Sequence, residues 1–571
     1  MLNFMYVLGV WDGHDSGAAL IESDRIVFAA NEERYTKRKL EVAFPRHSIN
    51  AALKHEGISP SDIRAIALPT TEFTKTLSRV FPAQKEGYYR FRRRKMLRPR
   101  FEPLMHKTKY SMTSIGPMPM CGLISKAAVS TELRRMGFKD FKVYTTDHHT
   151  AHAAAAAFSS GFKRSLVVTL DGIGDGKSGS VSTLSKGELS LHESIPGRDS
   201  LGIFYEQVTN ILGMRELEDE GKVMAMADFS YPFEFRQNKL KDFFKINGNT
   251  IKARYAPAAQ YEMLGRIAWG TPKEQFAYMA QQVLEVNMEG LISNLHDSYG
   301  TDDLALSGGI MSNVKANMKV RENSGFRRIF VFPHMGDGGL ALGAAMHVNH
   351  ELNGISSYRF SAYLGPEYSE NAVYKALKER PGIEFQREKD VARHAAELIS
   401  RDNYVFWFQG RMEYGPRALG NRSILARADS DYVKDRLNLY VKQREWFQPF
   451  APSMLDSEAT RLLKDVGEKN KFMTMAYRVK EAQKARMGAV MHVDMTARPQ
   501  MVGDENPRYE SLIKGVKRER GCGVVLNTSF NIHGKPIVMT PDDALGTMLE
   551  TNTRYMFIGD FFIENMSKKA R

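Results

Sequence analysis

Two histidines at helical spacing are the first residues in the chain whose types and positions could do chemistry. In DHHTAHAAAAAF, His148 and His152 stand four residues apart in an alanine-rich stretch that favours a helix. Both imidazoles then project from one helix face, which is a common spacing for metal ligands. His149 could pair with His152 instead, and a packed helix with hydrogen-bonded histidines would show the same pattern. The spacing alone leaves these alternatives open.

Two aspartates could complete a metal-binding set. Asp171 follows the apolar segment SLVVTL, and Asp337 lies in PHMGDGGLALGAA, where a glycine-rich turn leads into a helix. Two imidazoles and two carboxylates suit iron, manganese or zinc. An isolated Asp-Gly pair is usually only a turn. Here the pair recurs after several strand-like segments, which favours a site.

A glycine turn points to nucleotide binding. LALSGGIMSNVKANMKV predicts a strand, a turn at Gly308 and Gly309, and a helix with Asn313 and Asn317 on one face. Glycine lets the backbone approach an anionic ligand, and a helix N-terminus favours phosphate. With the Asp-Gly turns, including Gly338, the pattern is similar to the nucleotide cleft of the actin and sugar-kinase superfamily.

The C-terminal part of the chain carries residue types that bind anions. Arginine grips phosphate at two points, lysine acts as a point charge, and serine and asparagine add orienting hydrogen bonds. Proline, glycine and aromatic residues interleave with them, which favours a concave polar site over a solvated helix face. The residues are Arg417 with Glu413 and Arg422, Lys442, Arg444, Arg498, Asn527, Ser529 and Asn531.

Apolar segments alternate with helical periodicity, which predicts an α/β protein. YVLGVWDGHDSGAALI near the start and LVVTLDGIGDGKSGSV from Leu166 resemble each other and suggest a duplicated lobe. The pattern loosens around Glu351–Tyr368, so we predict a first domain over 1–355 and a second over 366–571. The predicted strands are Tyr6–Trp11, Ile63–Leu68, Ser165–Leu170, Leu304–Leu306 and Arg328–Phe332, and Glu274–His296 is predicted to form one long helix.

Composition excludes several classes of protein. Two cysteines in 571 residues rule out a disulfide framework and indicate a reducing, cytoplasmic setting. The sequence contains no run of about 18 uncharged apolar residues, so no membrane-spanning helix is predicted. The segment MLNFMYVLGV lacks the basic start of a signal peptide. Lysine and arginine exceed the acids by 80 − 66 = 14. Part of this excess lies between Lys85 and Lys109, a segment that contains ten lysines and arginines and only two glutamates.

GPRALGNRS, KQREW, PFAPS, RPQ and LNTSFN, in this order, resemble the O-carbamoyltransferases of antibiotic tailoring and nodulation-factor biosynthesis. The resemblance covers essentially the whole chain except the basic segment near 85–109. It implies an actin-like ATPase fold for the first domain, similar to the tRNA threonylcarbamoyltransferase subunit. It implies a YrdC-like α/β fold for the second domain, whose KxR and SxN signatures match Lys442 to Arg444 and Ser529 to Asn531.

The resemblance also implies residue roles. The metal shell falls on His148, His152, Asp171 and Asp337, with Fe²⁺ favoured over Mn²⁺ or Zn²⁺. The catalytic, acceptor-side residues fall on His14 and Lys39. Carbamoyl phosphate and ATP, with its Mg²⁺, would be held by Arg417, Lys442, Arg444 and Arg498. One departure stands out: the family commonly has arginine where this chain has Gln448, which puts the phosphate anchoring in doubt.

The expected reaction is therefore formation of carbamoyl adenylate from carbamoyl phosphate and ATP, followed by carbamoyl transfer to a hydroxyl, with His14 as general base. The rival hypotheses are a threonylcarbamoyl-type tRNA enzyme and a non-enzymatic nucleotide-gated binding protein. The sequence leaves the oligomeric state open, and a homodimer is compatible with it.

The acceptor is predicted from charge. GYYRFRRRKMLRPRF interleaves aromatic residues with Arg92, Arg93 and Arg94, a composition suited to phosphate contact and base stacking. We therefore expect a 5-hydroxymethylpyrimidine in DNA, for example 5-hydroxymethylcytosine, presented outside the duplex stack. A small sugar or secondary-metabolite hydroxyl is the alternative. A solvated basic loop or an oligomer contact would explain the same segment without DNA.

Overall fold

The computed structural model describes residues 6–92, 112, 115–380 and 382–566. They form two compact units. The first consists of the chain up to Glu32 together with Leu40–Phe360, and the second consists of Glu33–Lys39 together with the chain from Ser361 onward. The helix α1 (Glu33–Thr36) thus lies in the second unit, although its neighbours in sequence lie in the first. No motif in the sequence predicts that this segment belongs to the second unit.

The first unit begins with a five-stranded sheet. β1 pairs antiparallel with β2 and parallel with β4. All six residues of β1 are buried, as expected for a strand covered on both faces. The strands run in the order β3-β2-β1-β4-β5. Their bounds are β1 (Tyr6–Trp11), β2 (Gly17–Glu22), β3 (Arg25–Asn31), β4 (Ala65–Pro69) and β5 (Lys142–Thr146).

A second sheet repeats this arrangement. Its order, read from the other edge, is β8-β7-β6-β11-β12, with antiparallel pairing on one side of β6 and parallel pairing on the other. The central strand of each sheet leads into an Asp-Gly segment, so the predicted duplication is confirmed. The strands of this sheet are β6 (Arg164–Gly174), β7 (Lys177–Ser185), β8 (Glu188–Pro196), β11 (Asp303–Ser307) and β12 (Arg328–Val331). The strands β9 (Phe244–Asn247) and β10 (Thr250–Ala253) pair with each other in a separate two-stranded sheet.

Two helices of the first unit pack with almost no space between them. A Cβ on Gly343 of α12 would lie 2.0 Å from the carbonyl oxygen of Ala151 in α6. The alanine run of α6 and this glycine therefore permit the close approach. The helices of the unit are α2 (Arg46–Glu56), α3 (Phe73–Val80), α4 (Ala83–Arg92), α5 (Pro119–Arg135), α6 (His148–Ser159), α7 (Leu201–Ile211), α8 (Glu220–Ala227), α9 (Pro257–Trp269), α10 (Lys273–Tyr299), α11 (Val314–Asn323) and α12 (Leu340–Asn353).

The second unit is built on an eight-stranded mixed sheet in the order β13-β22-β21-β14-β15-β20-β16-β19. Trp407, Tyr509 and Phe557 lie in its buried core. The strands are β13 (Ile383–Arg387), β14 (Val405–Phe408), β15 (Arg422–Arg427), β16 (Ala451–Leu455), β17 (Tyr477–Arg478), β18 (Thr496–Ala497), β19 (Gln500–Val502), β20 (Val524–Ser529), β21 (Tyr555–Ile558) and β22 (Phe561–Asn565).

Seven further helices complete the second unit. They are α13 (Glu370–Lys378), α14 (Val391–Ser400), α15 (Asp431–Arg436), α16 (Asp456–Leu462), α17 (Lys484–Met487), α18 (Pro507–Arg520) and α19 (Pro541–Glu550). A π-helix, Leu437–Lys442, continues α15 and ends at Gln443, which has a left-handed backbone with φ of 48°. Among the helices in the described ranges, none is long and apolar enough to cross a membrane.

Candidate functional site

Four ligand atoms of the first unit converge on one point. Single atoms of His148, His152, Asp171 and Asp337 all lie within 4.8 Å of one another, and all four residues are buried. His148 Nε2 lies 3.0 Å from Asp171 Oδ2 and 3.6 Å from Asp337 Oδ1. His152 Nε2 lies 3.6 and 3.7 Å from the same two oxygens. The structure therefore brings together the four residues that the sequence predicts as a metal shell.

Helix geometry selects His148 over its neighbour. Asp147 caps α6 by accepting hydrogen bonds from the backbone amides of His149 and Thr150, so the helix starts at His148. His148 and His152 then face the aspartates together. The His149 ring is used elsewhere, because its Nδ1 lies 2.8 Å from Thr169 Oγ1 and its Nε2 3.1 Å from the carbonyl oxygen of Lys177. Its role is structural.

The electrostatics of the four-residue cluster favour a bound positive charge. Burial disfavours a charged imidazole, yet the carboxylates of Asp337 and Asp171 raise the pKa of His148 to about 10. Burial likewise disfavours the Asp171 carboxylate, but the hydrogen bond with His148 and the charges of His148 and His152 keep its pKa well below the ordinary value. The His152 Nε2 atom is buried and has no hydrogen-bond partner among the described residues. Two converging carboxylates and an orphaned imidazole nitrogen fit a divalent cation.

Surrounding groups orient these side chains. Thr70 Oγ1 lies 3.1 Å from Nδ1 of His148, and Ser307 Oγ lies 3.3 Å from Nδ1 of His152. The backbone amide of Gly309 donates to Asp171 Oδ1 at 2.8 Å. Contacts of this kind fix the ring orientation and the tautomer of metal-binding histidines. The sequence did not indicate Thr70, which lies at a strand end without a motif around it.

His14 lies beside the cluster and is open to solvent. Its Nε2 is 3.3 Å from Asp337 Oδ2, and its side chain is 28% exposed. The indole Nε1 of Trp11 donates to the backbone oxygen of His14 at 2.8 Å and so anchors the turn that carries it. Burial alone would raise the pKa of Asp337, but the charges of His14 and His148 lower it. The His14 side chain is therefore accessible from solvent while its imidazole contacts Asp337.

The glycines predicted to cradle a nucleotide have packing roles. Gly308 has φ of 102°, and a Cβ there would lie 2.2 Å from the carbonyl oxygen of Leu170. A Cβ on Gly338 would lie 2.3 Å from Asp15 Oδ2. Both glycines therefore allow the metal-site turns to approach one another. A nucleotide contact at this place stays a prediction.

The two predicted asparagine ligands are engaged within the protein. Asn313 caps α11 by accepting from the amide of Ala316 and exchanges hydrogen bonds with Gln281. Asn317 donates to the backbone oxygen of Met311 at 2.7 Å. These contacts give both asparagines a role within the protein, and a nucleotide contact at either residue stays a prediction.

A second polar site lies in the second unit, around Lys442. The Lys442 ammonium is buried and donates to Ser529 Oγ at 3.1 Å and to Asn531 Oδ1 at 2.8 Å. Burial lowers the pKa of Lys442 well below the ordinary value, and the charges of Arg444 and Lys39 lower it further. The predicted KxR and SxN segments therefore meet in space.

Three arginines, Arg417, Arg444 and Arg498, extend this cationic cluster, and two of them have no acceptor among the described residues. Arg417 and Arg498 are half-buried, and neither forms a hydrogen bond or ion pair with any described residue. Burial and the charges of Arg417 and Arg444 lower the pKa of Arg498 well below its usual range. Burial lowers the pKa of Arg417 and of Arg444 to about 10 in each case. Such a cluster is suited to a polyphosphate or acyl phosphate.

Gln448 accepts hydrogen bonds that help to position Arg444. The guanidinium of Arg444 lies 4.3 Å from the ring centre of Phe450, and its Nε donates to Asn438 Oδ1 at 2.8 Å. Its Nη1 and Nη2 donate to the side-chain and backbone oxygens of Gln448 at 3.5 and 3.4 Å. The glutamine therefore helps to hold one arginine in place instead of supplying a second cation.

Some residues of the predicted anion site have structural roles instead. Arg422 is fully buried, donates to the backbone oxygens of Gln409 and Gly410, and stacks 3.6 Å from the ring centre of Phe408. Glu413 accepts from three backbone amides around it. Asn527 donates to Ser453 Oγ at 2.9 Å, and its predicted ligand contact stays a prediction. The Nη1 and Nη2 donors of Arg422 are bound to backbone carbonyls, which favours a structural role, and a phosphate contact at Arg422 stays a prediction.

Lys39 and the arginines at 92–94 are the remaining predicted site residues. Lys39, predicted beside His14 on the acceptor side, lies with the second unit, where its charge acts on Lys442. Arg93 and Arg94 lie outside the described residues, and Arg92 ends α4 without a described side chain. The proposed nucleic-acid contact therefore remains a prediction from sequence.

Comparison with known proteins identifies the family of the chain. Residues 6–346 match the family model for the carbamoyltransferase N-terminus, and residues 396–565 match that for the carbamoyltransferase C-terminus. The chain is an enzyme of the carbamoyltransferase class and belongs to this family. It is 33% identical over 569 residues to nodulation protein NolNO of Sinorhizobium fredii, covering 96% of this chain and 79% of the relative.

A second relative has a more specific name. The chain is 31% identical over 358 residues to 3'-hydroxymethylcephem-O-carbamoyltransferase of Streptomyces clavuligerus. That match covers 61% of this chain and 65% of the relative. The name of this relative states a hydroxymethyl acceptor for that protein.

Proposed function

We propose that the chain makes carbamoyl adenylate in its second unit and transfers the carbamoyl group to an acceptor hydroxyl at the metal-binding set of its first unit. The observation that carries the first half is the cluster of Arg417, Lys442, Arg444 and Arg498. Two of its guanidinium groups have no acceptor among the described residues. Buried cations without counter-charges call for an anionic ligand, and carbamoyl phosphate with ATP supplies one.

The first half-reaction balances with one water. Water releases inorganic phosphate from carbamoyl phosphate and leaves carbamate. A carbamate oxygen then attacks the α-phosphorus of ATP, and pyrophosphate departs with its Mg²⁺. Lys442 and the arginines offset the charge that develops on the phosphoryl oxygens. We assign Lys39 to this half-reaction, because its segment packs with the second unit.

In the second half-reaction the acceptor oxygen attacks the carbamoyl carbon. The bond from that carbon to the adenylate oxygen breaks, and AMP leaves. His14 takes the hydroxyl proton on Nε2, since it is solvent-accessible and Asp337 lies 3.3 Å away to stabilise the charged ring. A divalent cation held by His148, His152, Asp171 and Asp337 would supply Lewis acidity toward a carbonyl or phosphate oxygen. Fe²⁺ is our first choice for it.

The fold assignments belong to the same proposal. The repeated five-stranded sheet of the first unit supports an actin-like ATPase fold with two lobes. The KxR and SxN segments that meet at Lys442 support a YrdC-like second unit.

Two acceptor classes follow from different observations. The formal net charge of +14 and the arginine-rich segment favour a 5-hydroxymethylpyrimidine in DNA. The relative named for a hydroxymethylcephem favours a small molecule. Both offer a hydroxymethyl group, so the chemistry at the first unit would be the same.

The test is product analysis by mass spectrometry. The full-length protein, loaded with Fe²⁺, is incubated with carbamoyl phosphate, ATP, Mg²⁺ and a panel of hydroxylated acceptors. The panel includes DNA containing 5-hydroxymethylcytosine, the free nucleoside, hydroxymethylcephems and sugars. We expect one carbamoyl group to be added to a hydroxyl, with release of AMP. Release of ADP instead of AMP would overturn the adenylate route, and failure of the DNA arm alone would leave the small-molecule acceptor.

A further inference from the structure

A lysine beside His14 has no assigned role. Lys75 lies in the first turn of α3, half-buried, with its Nζ 4.5 Å from the ring centre of Trp11. A Cβ built on Gly13 would lie 2.6 Å from that Nζ, so the ammonium rests directly against the turn that carries His14. The lack of a side chain at Gly13 leaves the space that Lys75 uses.

The ammonium group of Lys75 lacks partners. It forms no hydrogen bond and no ion pair with any residue that the structure describes. An ammonium has three donors, and burying it without acceptors is costly. Its contact with the Trp11 ring contributes a cation–π attraction but accepts no hydrogen bond. The donors of Lys75 are therefore available to a ligand.

The nearby carboxylate cannot serve as that partner, because it is already neutralised. Asp12 is buried and receives a bidentate pair of hydrogen bonds from Arg79, at 2.8 Å to Nη2 and 3.1 Å to Nε. Lys85 lies 3.1 Å from the other side of Asp12. Arg79 is also bound to the backbone oxygen of Thr70 at 2.8 Å. Lys75 adds a further cation to an arrangement that has more positive charge than Asp12 can balance.

The other acidic group near Lys75 is also engaged. Glu72 accepts from the amide of Asp175 at 3.1 Å and from Thr74 Oγ1 at 2.7 Å. Three cations, Lys75, Arg79 and Lys85, therefore face two carboxylates, Asp12 and Glu72. Burial lowers the pKa of Lys75, and the two carboxylates offset only part of this effect. A negatively charged ligand oxygen would stabilise the charged ammonium.

We propose that Lys75 anchors an oxyanion of the acceptor, so that the enzyme acts on a small hydroxylated compound carrying a phosphate or carboxylate group. This rests on the proposed transfer at the metal-binding set, since the anchor is useful only if the acceptor enters beside His14. Trp11 links the two places: its ring centre is 6.4 Å from that of His14 and 6.4 Å from that of His148. The anion and the reacting hydroxyl would thus lie on either side of one indole.

The first experiment needs no variant and no knowledge of the acceptor. Reductive dimethylation of the wild-type protein is measured at Lys75 by peptide mass spectrometry, in sodium sulfate and in sodium chloride of equal ionic strength. Sulfate is the oxyanion probe, and the exposed Lys54 of α2 is the internal control. We expect sulfate to reduce labelling of Lys75 severalfold and to leave Lys54 unchanged. Equal labelling of Lys75 in both salts would overturn the proposal.

The second experiment compares matched acceptors. Glucose, glucose 6-phosphate and glucuronate form one set, and 5-hydroxymethyl-2'-deoxycytidine with its 5'-monophosphate forms another. In each set, protection of wild-type Lys75 from labelling and, where carbamoyl product forms, KM are measured. Protection by the phosphate ester identifies phosphate as the source of the oxyanion, and protection by glucuronate identifies a carboxylate. Protection by the neutral member to the same extent as by the charged members would contradict the proposal.

Variants separate this inference from the proposed function. Lys75→Met should raise KM for the charged acceptor about tenfold or more with little change in kcat, the effect of losing one hydrogen bond to a charged group. Lys75→Arg should recover part of the loss. ATP–pyrophosphate exchange dependent on carbamoyl phosphate should be unchanged in both. An unchanged KM in Lys75→Met would refute the anchor, whereas absence of exchange in the wild type would refute the adenylate route and leave the sulfate protection result standing.

Discussion

The two polar sites differ in the charges of their side chains. In the first unit, carboxylates of Asp171 and Asp337 face the imidazoles of His148 and His152, so opposite charges meet at one point. In the second unit, Lys442 and three arginines lie together, and the charge of one lowers the pKa of another. A cation would complete the proposed site of the first unit, and an anion would complete that of the second. The difference implies that the two half-reactions have separate places.

The largest expected effect comes from removing the cations of the second site. Lys442→Ala and Arg498→Met should each lower ATP–pyrophosphate exchange dependent on carbamoyl phosphate by about 10²–10³-fold, as expected for loss of a group that stabilises developing charge. Metal content should be unchanged in both. Lys54→Ala is the matched control, because Lys54 is an exposed lysine of α2. Wild-type exchange in both variants would mean that ATP is activated elsewhere.

The complementary change removes the metal-binding set. His152→Ala and Asp337→Asn should lose bound metal, measured by mass spectrometry of the elements, and should lose carbamoyl transfer. Exchange should survive, because these residues lie in the first unit. His149→Gln is the control for the neighbouring imidazole, whose nitrogens contact Thr169 and the backbone. Equal loss of exchange and transfer in His152→Ala would break the division between the sites.

A smaller effect is expected from a residue that contacts a predicted metal ligand without being one itself. Thr70→Val removes the hydroxyl that lies 3.1 Å from Nδ1 of His148 while keeping the side-chain shape. Loss of such an orienting contact should weaken metal affinity about 10–100-fold. Thr70→Ser keeps the hydroxyl and should retain affinity. Metal competition with a chelator measures both, and equal affinities of Thr70→Val and wild type would show that His148 is oriented by its helix alone.

The smallest effect concerns the packing that supports the first site. Gly343→Ala should destabilise the first unit by about 1–3 kcal/mol, since the new methyl group would lie against the carbonyl of Ala151. Gly122 of α5 has nothing within 4 Å of its Cβ position, so Gly122→Ala should be neutral or slightly stabilising. Thermal unfolding followed by circular dichroism compares the two. A stable Gly343→Ala protein would show that α6 and α12 can move apart.

Much of the first site could be predicted from sequence. HxxxH in an alanine-rich helix and two aspartates at strand ends supplied all four members of the cluster. The choice between His148 and His149 depends on the contacts of His149 with β6 and β7. These contacts are distant in sequence, so the local spacing does not predict them. Thr70 and Lys75 were missed, because each acts through a neighbour that is distant in sequence.

The second site shows a different limit. Sequence composition identified a cationic region, but it could not separate Arg422 from Arg417. The Nη1 and Nη2 atoms of Arg422 donate to backbone carbonyls, whereas Arg417 makes no hydrogen bond with a described residue. The placement of Lys39 with the second unit was also missed. That placement depends on the tertiary contacts of α1, where Arg34 donates to the backbone oxygen of Gly415 at 3.1 Å and Tyr35 packs against Met412. No local sequence pattern predicts that Glu33–Lys39 belongs to the second unit.

The most direct test of the account is detection of carbamoyl adenylate itself. The wild-type protein is mixed with carbamoyl phosphate, ATP and Mg²⁺ in the absence of an acceptor, quenched within the first turnover and analysed by mass spectrometry. We predict carbamoyl adenylate, pyrophosphate and inorganic phosphate in equal amounts, and their loss in Lys442→Ala. Consumption of carbamoyl phosphate without carbamoyl adenylate, or with ADP as the nucleotide product, would contradict the division of labour between the two sites.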